Sequence, residues 1–176
     1  MRKAFFMLLL IPLLICAQEV KKPDAWSPFK YFIGSWKGTG KGEPGVSQVE
    51  RTYKSMLNGK FIQVNHTSVY APQEKNPKGE RHEDIGFFSY DRARKMFVLR
   101  QFHIEGFVNQ FKAETVSADG KLIVFVSESL ENIPQGYRAK ETYKILNENE
   151  FMETFEIAAP GKDFTVYSEN HFTRQK

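Results

Sequence analysis

The chain contains, at residues 34–42, the stretch Gly-Ser-Trp-Lys-Gly-Thr-Gly-Lys-Gly. Side chains two residues apart share one face of a β-strand, so Gly38, Gly40 and Gly42 predict a strand with one bare face. Such a face suits the close approach of another backbone, a sharp bend of a barrel or a ligand. The stretch is not a phosphate-binding loop, because it lacks the Gly-Lys-Ser/Thr ending and a following apolar helix.

The rest of the chain repeats a plan of short strands and turns. Asn58-Gly59 is a strong hairpin signal, and residues 29–33 predict no more than one helical turn. Strands are expected at residues 34–42, 46–54, 60–70, 85–90, 96–106, 107–116, 121–129, 137–146, 150–158 and 164–174.

Short connections make neighbouring strands antiparallel, and a long series of hairpins leaves unpaired edges unless the sheet closes. The sequence therefore predicts an all-β fold, a closed antiparallel up-and-down barrel of about ten strands with room for one small ligand. A β-sandwich is the alternative.

The first residues have the pattern of a secretory signal. Arg2 and Lys3 precede an apolar run of about 12 residues, which is shorter than the roughly 20 residues of a spanning helix. Cleavage is expected after Ala17. The alternative is a lipid anchor at Cys16, which is disfavoured because Ile15 stands where a small residue usually precedes the acylated cysteine.

Three segments follow from this pattern: a signal peptide at residues 1–17, a flexible lead-in at 18–28 and a barrel domain at 29–176. The mature chain is expected to be exported, periplasmic or secreted, without a transmembrane segment. Its only cysteine is lost with the signal, so thiol chemistry is not expected. The formal net charge of +4 falls to +2, and no long run of Lys and Arg indicates a nucleic-acid partner.

Several short motifs resemble those of nitrobindin-like haem-binding barrels, relatives of the lipocalins within the calycins. Their first strand reads Gly-x-Trp-x-Gly-x-Gly-x-Gly, as residues 34–42 do. Their His-x-acid-x-Gly-aromatic segment is similar to residues 82–87, and their closing strand is similar to residues 170–174. Residues 57–61 resemble a related group of bacterial lipocalin-like proteins of unknown function.

The resemblance implies a ten-stranded barrel with a pocket at one end. In nitrobindins a histidine on the last strand ligates haem iron, and the protein reacts with nitrogen oxides. Alignment from the chain end puts Tyr167 or Val166 at that position, a departure that makes haem a less expected cofactor, although Tyr ligates haem in other proteins. The resemblance further implies that His82 faces the pocket and that Gln101 lies near it.

The resemblance also implies a structural pair at the barrel floor. In lipocalin-like barrels a late arginine lies across the tryptophan of the first strand, and Arg174 is placed to lie across Trp36. A cation–π contact of this kind stabilises a fold by about 0.5–2 kcal/mol.

Strand alternation leaves the surroundings of the other candidate residues open. Gln101 and His103 share a face with Glu105, and we expect this polar face to point to solvent, with a polar cavity as the alternative. On the last strand the face with Val166 and Phe172 is the expected core. That choice turns Tyr167 outward unless a bulge near Asp163 reverses it.

Other ionisable residues give no defined centre. The strand carboxylates are expected to be solvated, and a catalytic pair needs a separation that a sequence does not supply. These carboxylates are Glu105, Glu114, Glu128, Glu141, Glu153, Glu156 and Glu169. Neither His66 nor any other histidine has a tight metal spacing, so no metal site is expected, although scattered residues could still form one.

We predict an exported, non-catalytic barrel that binds a small apolar or amphipathic ligand through His82, Gln101, His103 and Tyr167. The first alternative is a haem-binding protein of the nitrobindin type. The second is an enzyme that uses His82 or His103 as a base. Both choices lean on analogy, because a fold does not fix a function.

Overall fold

The computed structural model describes residues 24–176. The predicted signal peptide, Cys16 and the first part of the lead-in lie outside the described residues. One short helix precedes ten strands: α1 (Ser27–Lys30), β1 (Gly34–Gly42), β2 (Gly45–Met56), β3 (Phe61–Tyr70), β4 (Glu80–Asp91), β5 (Met96–His103), β6 (Val108–Val116), β7 (Leu122–Glu131), β8 (Arg138–Asn147), β9 (Glu150–Ala158) and β10 (Thr165–Arg174). No helix among residues 24–176 has the length and apolar character needed to cross a membrane.

Every strand pairs antiparallel with the next one in the chain, and β1 also pairs with β10 to close the sheet. In this last pairing Trp36 lies opposite Arg174, and Gly42 lies opposite Ser168. The predicted fold class, a closed up-and-down barrel of ten strands, is confirmed. Closure removes the unpaired edges that the series of hairpins would otherwise expose.

The start of β4 differs from the expectation. The strand was expected at residues 85–90, yet β4 begins at Glu80, which pairs with Tyr70 of β3, so that residues 80–84 extend it. The polar residues of this segment continue the ladder rather than leave it. As a result His82 and Asp84 belong to a strand and have fixed directions.

The bare face of β1 receives the last strand. A Cβ atom at Gly38 would collide with the backbone of His171, and one at Gly40 would collide with the side chains of Asn170 and Ser47. Of the uses considered for this face, the structure shows the close approach of another backbone.

Aromatic rings fill the barrel interior next to α1. Phe151 lies at the centre, with its ring centroid 5.1 Å from that of Phe32 and 4.8 Å from that of Trp36. Trp26, within the segment expected to be a lead-in, packs on Phe97 at 5.0 Å. We call this part of the barrel, with α1 and the rings of Phe29, Phe32, Trp36, Tyr53 and Phe151, the closed end.

Arg174 covers the closed end. Its guanidinium carbon lies 4.1 Å from the ring centroid of Trp36. The same group donates hydrogen bonds to the carbonyl oxygens of Ile33 and Tyr31 at 2.9 and 2.6 Å. Arg174 thereby ties the end of the chain to the segment that enters β1.

Candidate ligand-binding site

The end of the barrel opposite α1, which we call the open end, holds a pocket of about 260 Å³. Exposed or half-buried side chains line its mouth, among them Tyr70, Glu80, Glu105, Phe107 and Tyr167. Buried polar side chains line its deep wall: Arg51, His66, Glu141, Glu153 and Asn170. The pocket is therefore polar inside and partly aromatic at its entrance.

All four residues that the sequence singled out for a ligand lie in this pocket. His82 on β4, Gln101 and His103 on β5 and Tyr167 on β10 all line it. Their role as ligand-binding residues stays a prediction.

The direction expected for Gln101 and His103 was wrong. Gln101 is 6% exposed and points inward, whereas its neighbours Phe102 and Ile104 are 48% and 61% exposed. On the polar face His103 meets Asn109 and Glu105 meets His82, so this face lines the cavity. The outer wall here carries exposed apolar side chains, and apolar atoms are common on protein surfaces.

A β-bulge sets the position of Tyr167. The register of β10 against β9 shifts between Val166 and Ser168, so that Tyr167 is the extra residue. Val166 was expected in the core but is 49% exposed. Tyr167 lies at the mouth of the pocket, with its ring centroid 6.0 Å from that of Phe155. A bulge adds one residue to a strand and changes which face the next side chains occupy. The bulge was expected near Asp163 and lies at Tyr167 instead.

Arg51 organises the deep wall. It is 4% exposed, and its guanidinium donates hydrogen bonds to Glu153 Oε2 at 3.0 Å, to the Tyr53 hydroxyl at 3.2 Å and to His66 Nδ1 at 3.1 Å. Its carbon also lies 4.8 Å from the ring centroid of Phe172. A buried charge needs this degree of pairing, because an unpaired one costs several kcal/mol.

His66 is held neutral by these contacts. Its Nδ1 accepts from Arg51, which leaves Nε2 to carry the proton and to donate to Ser68 Oγ at 2.8 Å. Burial and the charge of Arg51 lower the pKa of His66 to about 4. At neutral pH this imidazole is therefore uncharged.

Two buried carboxyl groups take different protonation states. Burial would raise the pKa of Glu153, but the charge of Arg51 and hydrogen bonds with Glu141 and Asn170 together hold that pKa below its usual value. Asn170 Nδ2 donates its hydrogen bond at 2.8 Å. Burial and the nearby Glu153 carboxylate raise the pKa of Glu141 well above its usual range. Glu153 is thus ionised while Glu141 is protonated, the expected outcome when two carboxyl groups share a buried site.

The expectation of solvated strand carboxylates was wrong for these two. Glu141 is 1% exposed and Glu153 is 4% exposed. Tyr143 donates its hydroxyl hydrogen to Glu141 Oε1, and the protonated Glu141 side chain hydrogen-bonds with the Glu153 carboxylate.

A second polar group lies towards the mouth. His82 Nδ1 donates to Glu105 Oε1 at 2.7 Å, and His82 Nε2 lies 3.5 Å from Asp84 Oδ2. Burial would lower the pKa of His82, but hydrogen bonds with Asp84 and Glu105 raise it to about 9. Burial would likewise raise the pKa of Asp84, but the hydrogen bond with His82 and nearby cationic groups lower it to about 2.

His103 differs from His82 in its surroundings. Its Nε2 lies 3.1 Å from Asn109 Nδ2, its ring stacks on Phe107 at 4.3 Å, and burial lowers its pKa. Of the two histidines considered as a base, only His103 is therefore neutral at pH 7. His82 would enter a proton transfer as an acid.

Sequence reasoning missed Arg51, Glu141 and Glu153. Each stands at an inward position between apolar residues of its own strand: Arg51 follows Val49 and precedes Tyr53, and Glu153 follows Phe151 and precedes Phe155. A single charge on an otherwise apolar strand face is the signal that would have identified them.

Comparisons with known proteins support the fold and nothing more specific. No protein-family model matches the chain, and no curated protein matches its sequence. The chain is similar to the crystal structure of Rv2717c from M. tuberculosis, with a TM-score of 0.66 and 18% sequence identity over 86% of this chain and 97% of that chain.

A de novo designed fluorescence-activating β-barrel is matched at a TM-score of 0.44 and 12% identity, over 83% of this chain and 95% of that chain. A redesigned β-barrel is matched at a TM-score of 0.45 and 9% identity, over 84% of this chain and 94% of that chain. Neither likeness is close enough to carry an argument. The chain therefore shares its closed-barrel fold with Rv2717c, and its resemblance to nitrobindins stays a prediction.

Proposed function

We propose that the protein binds one small amphipathic molecule in the pocket at the open end without transforming it. The observation that carries this proposal is the polar pocket, whose lining holds buried groups with incomplete partners. His103 Nδ1 has no hydrogen-bond partner among residues 24–176, and Glu141 Oε2 has only the Glu153 carboxylate beside it. An unpaired buried polar atom costs about 1–3 kcal/mol, which a ligand with matching polar groups would recover.

The lining favours an amphipathic ligand over a wholly apolar one. An apolar molecule would cover the polar groups of the deep wall without replacing their contact with water, which is unfavourable. At the mouth, Phe107, Phe155 and Tyr167 offer aromatic surface to the other end of such a ligand. The polar end would then reach Glu141.

The charges of the lining favour a neutral or cationic ligand. Four carboxylates, Glu80, Asp84, Glu105 and Glu153, line the pocket, against the cations Arg51 and His82. A second anion would therefore meet net repulsion. The volume of about 260 Å³ lies just below the roughly 300–1,000 Å³ of common small-molecule sites, so the ligand is small.

The pocket does not fit haem. Its deep wall is filled with buried polar groups, whereas the macrocycle needs apolar faces on both sides. Val166 points outward and has no ligating atom, and burial raises the pKa of the Tyr167 hydroxyl, which disfavours the phenolate that binds ferric iron. Haem is therefore not included in this proposal.

Export of the chain belongs to the same proposal and is supported by the signal pattern of residues 1–17. Intact mass measurement of the protein from its native source tests it. A chain beginning at Gln18 supports cleavage after Ala17. A chain beginning at a lipid-modified Cys16 would instead indicate a membrane anchor. A chain that retains Met1 would contradict export through either signal.

Native mass spectrometry of the protein purified from its native source tests ligand binding. We expect a copurifying molecule at one copy per chain, lost when Ser168→Phe fills the pocket. Val166→Phe is the matched control, because it places the same ring on the outer face of the same strand. Equal occupancy in both variants, or no added mass in the wild type, would contradict the proposal.

A further inference from the structure

Three side chains near the mouth of the pocket bring together atoms that bind metal ions. His82, Asp84 and His103 each offer one ligand atom, and these atoms all lie within 4.8 Å of one another. The fold explains the meeting. His82 and Asp84 are two residues apart on β4 and share a face, and Asp84 lies opposite His103 in the antiparallel pairing of β4 with β5.

Glu105 orients one of the two imidazoles. It accepts a hydrogen bond from His82 Nδ1 at 2.7 Å, which leaves Nε2 directed towards Asp84. A histidine that binds a metal through one nitrogen usually donates its other N–H to a carboxylate or carbonyl, and this contact fixes the ring and raises its basicity.

Asn109 provides the corresponding contact for His103. With its Nδ2 donating to His103 Nε2, two buried atoms lack a partner among residues 24–176: Asn109 Oδ1 and His103 Nδ1. Turning the amide over exchanges its oxygen and nitrogen. His103 Nε2–H then donates to Asn109 Oδ1, and the lone pair of Nδ1 becomes free. The rotation exchanges an unpaired amide oxygen for an unpaired amide nitrogen on Asn109, and it leaves His103 Nδ1 able to bind a cation.

We propose that His82, Asp84 and His103 bind one divalent first-row transition metal ion, with Zn²⁺ as the probe. Two imidazoles and one carboxylate are a common ligand set for such ions, and three protein ligands leave a coordination position open. That position would face the cavity, where a polar group of a bound molecule can occupy it. The metal site does not depend on the organic ligand proposed above, and its test contains none.

Without an ion, the same residues form a small charged network in which protonated His82 lies between Asp84 and Glu105. A metal ion must displace the proton from His82 Nε2, so binding releases a proton and becomes tighter as the pH rises.

Metal titration of the chelator-treated full chain tests the proposal. We expect one Zn²⁺ per chain by isothermal titration calorimetry, and visible absorption bands of a low-symmetry site with Co²⁺. His103→Gln and Asp84→Asn should each weaken binding at least tenfold, and Glu105→Gln should weaken it about 10- to 100-fold while leaving all three ligands in place.

His171→Gln is the matched control, because His171 is half-exposed on the outer wall beside Glu150. It should bind Zn²⁺ as the wild type does. Circular dichroism establishes whether each variant is folded. If Asp84→Asn unfolds, the affinity of His103→Gln for Zn²⁺ tests the proposal on its own. Unchanged binding in folded His103→Gln would assign the ion to Glu80, His82 and Glu105, a second group at the mouth, and overturn the proposal. Absence of stoichiometric binding at pH 8 would overturn it as well.

Discussion

The closed end and the open end of this barrel are built from the same strands but contain opposite chemistry. On β2 the inward position changes from Tyr53 to Arg51, and on β9 it changes from Phe151 to Glu153. Each change takes place within one step of strand alternation. Trp36 and Arg51 lie opposite each other where β1 pairs with β2, and both are enclosed, at 1% and 4% exposed, so the two chemistries meet directly.

Because of this difference, the closed end supplies most of the stability and the open end supplies the groups that can recognise a ligand. Packed rings at the closed end gain both from removal of apolar surface from water and from edge-to-face contacts. Buried ion pairs at the open end gain little net free energy, because their attraction is offset by lost hydration. The open end therefore contributes directed polar groups, which the closed end holds in place.

Removal of a ring from the closed end should have the largest effect. Phe151→Ala is expected to lower the free energy of unfolding by about 3–5 kcal/mol, since it leaves a cavity between Phe32 and Trp36. Urea denaturation measures this. Phe102→Ala, on the outer wall, should lower the free energy of unfolding by no more than about 0.5 kcal/mol. Equal losses in the two variants would contradict the claim that the interior rings carry the stability.

Breaking the central ion pair should cost somewhat less. Arg51→Met is expected to lower the free energy of unfolding by about 3 kcal/mol, because Glu153 is then buried without its partner. The double variant Arg51→Met/Glu153→Met should recover much of that loss. Denaturation of the two single variants and the double variant forms a complete cycle, and strictly additive losses would contradict the pairing.

The cover of the closed end gives a smaller effect. Arg174→Lys keeps the charge but loses the planar guanidinium over Trp36 and its hydrogen bonds to carbonyl oxygens, so a loss of about 1–2 kcal/mol is expected. Arg138→Lys is the control, since Arg138 is exposed and lies over Phe164 at 4.8 Å. An equally large loss of stability in Arg138→Lys would mean that the contacts of Arg174 with Trp36 and the carbonyl oxygens are not the cause.

The last prediction concerns the pH dependence of stability. Because the pKa of His82 is raised to about 9 in the folded chain from a reference of 6.5, its contribution is fully present below pH 6.5 and disappears as the pH rises through 9. The stability difference between wild type and His82→Gln, measured by urea denaturation across this range, should shrink accordingly. A difference that grows with pH would mean that His82 is neutral when folded.

The sequence predicted the barrel well because turn residues and alternation are local signals. Asn58-Gly59 and the glycines of β1 point to the same architecture as the strand count. Alternation also told which residues share a face, as with Gln101 and His103. Alternation did not indicate which face points into the barrel, because a polar face that lines a cavity has the same sequence pattern as a polar face exposed to solvent.

Two features of the site lay beyond such signals. The meeting of Arg51 with Glu153 joins β2 to β9 across the cavity, and neither strand alone shows it. The bulge at Tyr167 has no glycine or turn residue beside it and follows from the register of β10 against β9. Contacts across the barrel and register shifts depend on the whole structure, which explains why the pocket was identified while its deep wall was not.

The pairing of β1 with β10 has a consequence for how the chain reaches its final form. β1 pairs with β2 early but gains its second neighbour only after β10 has been synthesised, so a chain that lacks β10 exposes one edge on β1 and one on its final strand. A nascent or truncated chain would thus be prone to join other molecules through these edges. Pairing of β10 with β1 removes both edges at once.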